Sequence, residues 1–136
     1  MKDYVRMVDG SRRAISDIRM GDIILDTNFK MSTVMNIFVG AEEKKCMIRA
    51  KGHDFISLAM NQTIMTKDGL KFAKDITLDD SLLLFEGGYA EVEKIELSRE
   101  NWRVYEFCTK EAVLFGMNDY VVGTYEKRWE LERRQG

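Results

Sequence analysis

Apolar positions along the chain fall into short runs bounded by polar corners, the pattern of strands rather than of helices. Such runs predict strands over Thr33 to Val39, Cys46 to Lys51, Phe55 to Ala59, Tyr89 to Leu97, Trp102 to Cys108 and Ala112 to Phe115. Tyr89 to Leu97 alternates imperfectly, with Ile95 and Leu97 on one parity and Ala90 and Val92 on the other, and reads as a partly exposed strand. Lys51-Gly52-His53-Asp54 and Glu86-Gly87-Gly88 carry hairpin-turn chemistry between these runs, which makes His53 a surface turn residue. Tyr125 to Arg134 breaks the pattern: it lacks Gly and Pro and pairs Tyr125 with Trp129, and Arg128 with Glu132, at helical i,i+4 spacing. The predicted fold class is therefore all-β with a short C-terminal helix.

The chain also repeats itself. DGSRRAISDIRMGDIIL (Asp9 to Leu25) shares its plan with DGLKFAKDITLDDSLLL (Asp68 to Leu84). At an offset of 58, Asp17, Ile18, Asp22 and Leu25 meet identical residues at Asp75, Ile76, Asp80 and Leu83, while Met20 and Ile24 meet Leu78 and Leu82. The same offset carries Val34 and Ile37 onto Val92 and Ile95, and at 57 Met60 and Asn61 meet Met117 and Asn118. Order and spacing favour an internal duplication over a coincidence of Asp-Gly turns. Each half has too few strands for its own core, so the halves are expected to intertwine about a pseudo-two-fold axis. The division expected is a β domain over 1–124, with halves at about 5–66 and 67–124, and a helical tail over 125–136.

Composition sets the class of partner. A chain of 136 residues buries roughly two-thirds of its unfolded surface as one domain, without metal or disulfide staples. Hydrophobic residues at 45% and charged residues at 32% are globular proportions. Lys and Arg (21) against Asp and Glu (23) leave a net charge of −2, which gives no global attraction to nucleic acid or anionic membrane. The apolar runs are too short to span a bilayer, and MKDYVRMVDG has no signal-peptide character, so a cytoplasmic setting is expected. Cys46, Cys108 and His53 contain no ligand-spaced pair; no metal and no cofactor is assigned. A Cys46–Cys108 disulfide stays open, although buried free thiols in the core suit a cytosolic chain better.

Three segments, taken together and in order, resemble the Hint domain shared by inteins, bacterial intein-like elements and hedgehog autoprocessing modules. They are VRMVDGSRRAISDIRMGDIIL (Val5 to Leu25), ISLAMNQTIMTKDGLKFAKDITLDDSLLL (Ile56 to Leu84) and VYEFCTKEAVLFGMNDYVVGT (Val104 to Thr124). The resemblance implies a flat, horseshoe-like β domain whose halves exchange strands. It also implies self-catalysed protein splicing or cleavage, whose actors can be sought position by position.

The family's opening nucleophile, a cysteine or serine, would lie just before Met1, and MKDY offers neither. Its Thr-x-x-His run reads Ala59-Met60-Asn61-Gln62 here, so both the hydroxyl and the proton-shuttling imidazole are replaced. Its terminal His-Asn pair reads Gly123-Thr124, and threonine has no carboxamide to close a succinimide. Val113 stands where a histidine is sometimes found, and Glu106 stands at the position of a supporting aspartate, the one acid retained. The resemblance therefore implies a domain with no intact catalytic residue, kept as a structural or protein-binding module with an unidentified protein partner. Its oligomeric state stays open. The competing expectations are an active autoprocessing element with altered ends, and an unrelated small all-β binding protein using Tyr89, Trp102 and Trp129 at an interface. The short central linker leaves no room for a homing endonuclease. The tail is expected either to cover the old cleft through Tyr125 and Trp129 or to pack elsewhere on the domain.

Overall fold

Two long strands organise the chain. In the computed structural model, which describes residues 3–26, 30–111 and 113–135, β4 (Met31–Ala50) and β9 (Tyr89–Thr109) pair antiparallel along nearly their whole length. The other strands are three or four residues each: β1 (Tyr4–Arg6), β2 (Arg12–Ala14), β3 (Ile23–Leu25), β5 (Ile56–Leu58), β6 (Thr63–Thr66), β7 (Gly69–Phe72), β8 (Ser81–Leu83), β10 (Leu114–Met117) and β11 (Tyr120–Gly123). One helix follows, α1 (Tyr125–Gln135). The main path of the antiparallel sheet runs β2-β1-β10-β11-β6-β8-β9-β4-β3, with β5 added to β4 and β7 to β6. Elements from the two ends of the chain are thus interleaved, and the all-β class with a short terminal helix is observed. No described helix is long and apolar enough to cross a membrane.

Four of the expected strands are in fact two. Thr33 to Val39 and Cys46 to Ala50 belong to β4, with Lys51 already in the following turn, and Tyr89 to Leu97 and Trp102 to Cys108 belong to β9. The polar stretches between them contain no turn-forming dipeptide and stay paired, with Gly40 opposite Val104, Glu42 opposite Trp102 and Lys44 opposite Arg99. A register shift between Glu42 and Lys44 absorbs the extra residue of a bulge. Lys45 joins Glu100 at 2.6 Å and lies over the Trp102 ring, whose Nε1–H donates to the Lys44 carbonyl at 2.9 Å. Polarity there marks a ribbon exposed on both faces, not a turn. Smaller shifts occur at β5 and at β10, which covers Leu114–Met117; Ala112 lies outside the described residues, as does Met1.

The repeated sequence produces repeated hydrogen bonding. Asp22 and Asp80 each accept a backbone N–H from three residues upstream, Arg19 and Thr77, both at 2.8 Å. Each also receives a cation from nine residues upstream: Arg13 at 2.7 Å and Lys71 at 2.6 Å. Their carbonyls accept the N–H groups of Val34 and Val92 at 2.8 and 2.9 Å, which fixes where β4 and β9 begin their buried faces. Short 3₁₀ turns precede both corners, at Ile15–Asp17 and Ala73–Asp75. The core behind them includes Ile24, Val34, Ile48, Ile56, Leu58, Ile64, Leu82 and Phe107.

A second clasp joins the ends of the chain to its middle. Asn118 takes φ +54° in the two-residue β10–β11 turn, a left-handed conformation that Asn tolerates better than most residues. Its side chain accepts the Tyr4 N–H at 2.9 Å and donates to Asp3 at 2.6 Å and to the Phe55 carbonyl at 3.1 Å. The fully buried Tyr120 hydroxyl accepts the Ala50 N–H at 2.9 Å and donates to the Asp54 carbonyl at 2.6 Å; burial pushes its pKa up to about 12. His53 occupies the expected turn but is half-buried, with Nδ1 3.0 Å from Asp119 of the opposing turn.

Asp80 is only 3% exposed. Burial alone would raise its carboxyl, yet Lys71 and Thr77 hold it below the ordinary aspartate value. Its stabilising contribution is therefore complete above that ordinary value and is lost as pH falls through the lower folded value. Asp80→Asn is expected to cost about 1–3 kcal/mol and to remove this part of the acid sensitivity. Asp22→Asn, at a more open corner, is expected to cost less. Urea denaturation followed between neutral and acidic pH checks both.

Candidate functional site

The β5–β6 turn is closed by one side chain. Gln62 Oε1 accepts the Ala59 N–H at 2.9 Å, and the Ala59 carbonyl accepts the Gln62 N–H at 3.1 Å. Gln62 Nε2 then donates to the Tyr105 carbonyl of β9 at 3.2 Å. Both functions of the amide are thus committed to backbone, tying the turn to the long strand.

Gln62, Thr63, Glu106 and Gly123 meet around a cavity of about 10 Å³ over an apolar floor that includes Phe107 and Phe115. That volume is about that of one water, far below a substrate's. Gly123 has no spare room: a Cβ built on it would come within 2.3 Å of Thr63 Oγ1 and 3.0 Å of the Lys127 Cβ. Thr124 is buried and precedes α1; its carbonyl accepts the Arg128 N–H at 3.1 Å and its own N–H donates to the Val113 carbonyl at 3.2 Å. The hydroxyls of Thr63 and Thr124 are buried without a hydrogen-bond partner among the described residues.

Glu106 is not solvated, as a strand glutamate usually is. Arg128 of α1 grips it through two bonds, Nε to Oε2 at 2.7 Å and Nη2 to Oε1 at 3.0 Å, with side-chain exposures of 14% for Arg128 and 19% for Glu106. Arg128 Nη1 also reaches Glu132 at 2.7 Å, the expected i,i+4 pair. Phe38 lies opposite Glu106 in the ladder and so shares its face; the Tyr125 ring packs on it at 4.9 Å between centroids. The tail therefore docks beside the cavity, but not through both aromatics. Trp129 donates to the Tyr125 hydroxyl at 2.8 Å and is itself 47% exposed.

Glu126 accepts the Thr109 N–H at 3.1 Å and touches Cys108. Burial raises the Glu126 carboxyl above its ordinary value, and burial together with Glu126 pushes the Cys108 thiol up to about 11. Both cysteines are free; Cys46 is buried in the core, as expected, whereas Cys108 lies half-buried on the helix side of β9. Its position corrects the expectation of two core cysteines, because the face it shares with Glu106 carries α1 and not the core.

The six positions singled out from sequence thus gather in one region. Ala59 and Gln62 share a bond, Gln62, Glu106 and Gly123 line one cavity, and Val113 and Thr124 are joined by backbone. Sequence reasoning missed Thr63, Arg128 as the partner of Glu106, Glu126 and the His53–Asp119 contact. An arginine in the tail and a lone retained glutamate were the only clue to the first ion pair.

Solved structures similar to this one include the bacterial intein-like domain from Clostridium thermocellum, 22% identical with a TM-score of 0.79, the match covering 91% of this chain and 99% of that one. The gp41-1 intein is 21% identical with a TM-score of 0.80, over 90% of this chain and 94% of that one. A DnaB intein from Synechocystis sp. PCC 6803 is 16% identical with a TM-score of 0.79, over 90% and 94%. The chain has the intein-like, or Hint, fold. No protein-family model matches the sequence, and neither does any curated protein.

In this Hint fold the cavity lining includes the Tyr105 phenol and the Glu106 carboxylate, the latter held by Arg128. Gly123→Ala is expected to destabilise the chain by about 1–3 kcal/mol through overpacking. Adding Thr63→Ala, which removes the nearer obstacle, is expected to recover part of the loss. Thermal unfolding of the single and double variants checks this.

Proposed function

We propose that this Hint-like domain neither splices nor cleaves and serves as a structural or protein-binding module. The observation that supports this reading most directly is Gln62. It stands where the family's histidine would protonate a departing amide, and both ends of its side chain are spent on Ala59 and Tyr105. Glutamine neither takes nor gives a proton near neutral pH, so general acid catalysis worth about 10²- to 10⁴-fold is absent.

The other positions point the same way. Gly123, in place of the penultimate histidine, supplies no imidazole and is packed against Thr63 and Lys127. Thr124, in place of the terminal asparagine, cannot close a succinimide, and the peptide bond that would break enters a helix through the Thr124–Arg128 hydrogen bond. Glu106, the retained acid, is neutralised by Arg128. We read the matched corners at Asp22 and Asp80 as the product of an internal duplication, with halves at about 5–66 and 67–124 and a tail over 125–136. A protein, not nucleic acid, is the partner class suited to a net charge of −2.

The test is to express the chain between short flanking segments, with a cysteine placed before Met1, and to follow the intact mass over days. An unchanged mass is expected. Any clipped or ligated product overturns the inert reading.

A further inference from the structure

We propose that α1 is a strap, latched by Arg128 onto Glu106, which opens while the β framework stays folded and thereby uncovers Cys108. This goes beyond the question of catalysis and holds whether or not the domain is inert.

Three observations carry it. First, none of the described residues of α1 is fully buried, whereas the sheet beneath holds Val34, Ile48, Ile64 and Leu82 at zero exposure. A helix with so little apolar burial opens at a lower free energy than the core on which it rests. Second, the hydrogen bonds and the ring contact that hold it to β4 and β9 come from a few groups: the two-bond contact of Arg128 with Glu106, the Glu126 carboxylate on the Thr109 N–H, and the Tyr125 ring on Phe38. Third, these three contacts cluster at the Val34–Thr109 end of the β4–β9 pair, so they are made or lost together when the helix lifts away from it, while elsewhere the helix approaches β7 and β11.

The two cysteines report on the two kinds of opening. Cys108 lies under Glu126 on the helix face, and Cys46 is sealed in the core, where its Sγ sits 3.7 Å from the Ala73 carbonyl. Reaction with a thiol reagent such as dithionitrobenzoate, with each site resolved by mass spectrometry, therefore separates release of the strap from global unfolding. The full chain is compared with Arg128→Gln, which removes the latch, and with Tyr125→Ala, which removes the aromatic contact without changing charge.

In the parent chain Cys108 is expected to react faster than Cys46. Either substitution is expected to accelerate Cys108 by about tenfold or more while leaving Cys46 within about twofold of its parent rate. Opening removes both the burial and the Glu126 contact that hold the Cys108 thiol up, so greater access and a larger thiolate fraction act in the same direction, and the acceleration reports release of the helix. The proposal is overturned if both cysteines react at one common rate in all three proteins, because the helix then leaves only with the whole fold. It is equally overturned if neither substitution changes the Cys108 rate. A variant in which Cys46 accelerates in step with Cys108 counts as global unfolding, and against the strap.

Discussion

The long antiparallel pairing of β4 with β9 is the constraint on which the rest of the molecule depends. It joins segments far apart in the chain: Val34 faces Thr109, and Ala50 faces Val92 at the other end of the ladder. Its two ends carry core residues, with Val34 and Phe107 towards one and Ile48 and Val92 towards the other, and its middle projects as a polar ribbon. Because the short strands attach to this pair or to one another around it, they gain little until it has formed. Contacts of such sequence separation are slow to close, and the fold belongs among those whose rate is set by topology.

The site is a consequence of the same pairing. β9 brings the Tyr105 carbonyl to Gln62 and the Glu106 carboxylate to Arg128 from adjacent residues of one strand. Around the cavity, groups that could be chemical are engaged structurally: an amide bridges backbone, a carboxylate holds a helix, and a glycine makes room for a threonine and a lysine. The absence of a side chain at Gly123 and the approach of Lys127 are two aspects of one close contact.

What was legible in the sequence was local. Asp22 and Asp80 could be matched because a corner aspartate bonds to groups three and nine residues away, within one stretch of chain, and those stretches were both present. The α1 helix was legible for the same reason, through its i,i+4 pairs. The continuity of β4 and β9 was not, because a ribbon exposed on both faces has neither an apolar run nor a period of two to betray it. Nor was the engagement of Glu106, since its partner lies on another element and only the fold sets the two guanidinium bonds.

The order β1-β10-β11 has a mechanical corollary. β1 and β11 both run antiparallel to β10 and therefore parallel to each other, with Val5, Met117 and Tyr120 level across the three. The polypeptide enters the sheet at the start of β1 and leaves it at the end of β11. Tension applied through both flanks of the domain would thus load this trio in shear, straining its hydrogen bonds together instead of unzipping them singly. Under such a load the three strands resist as one stiff element.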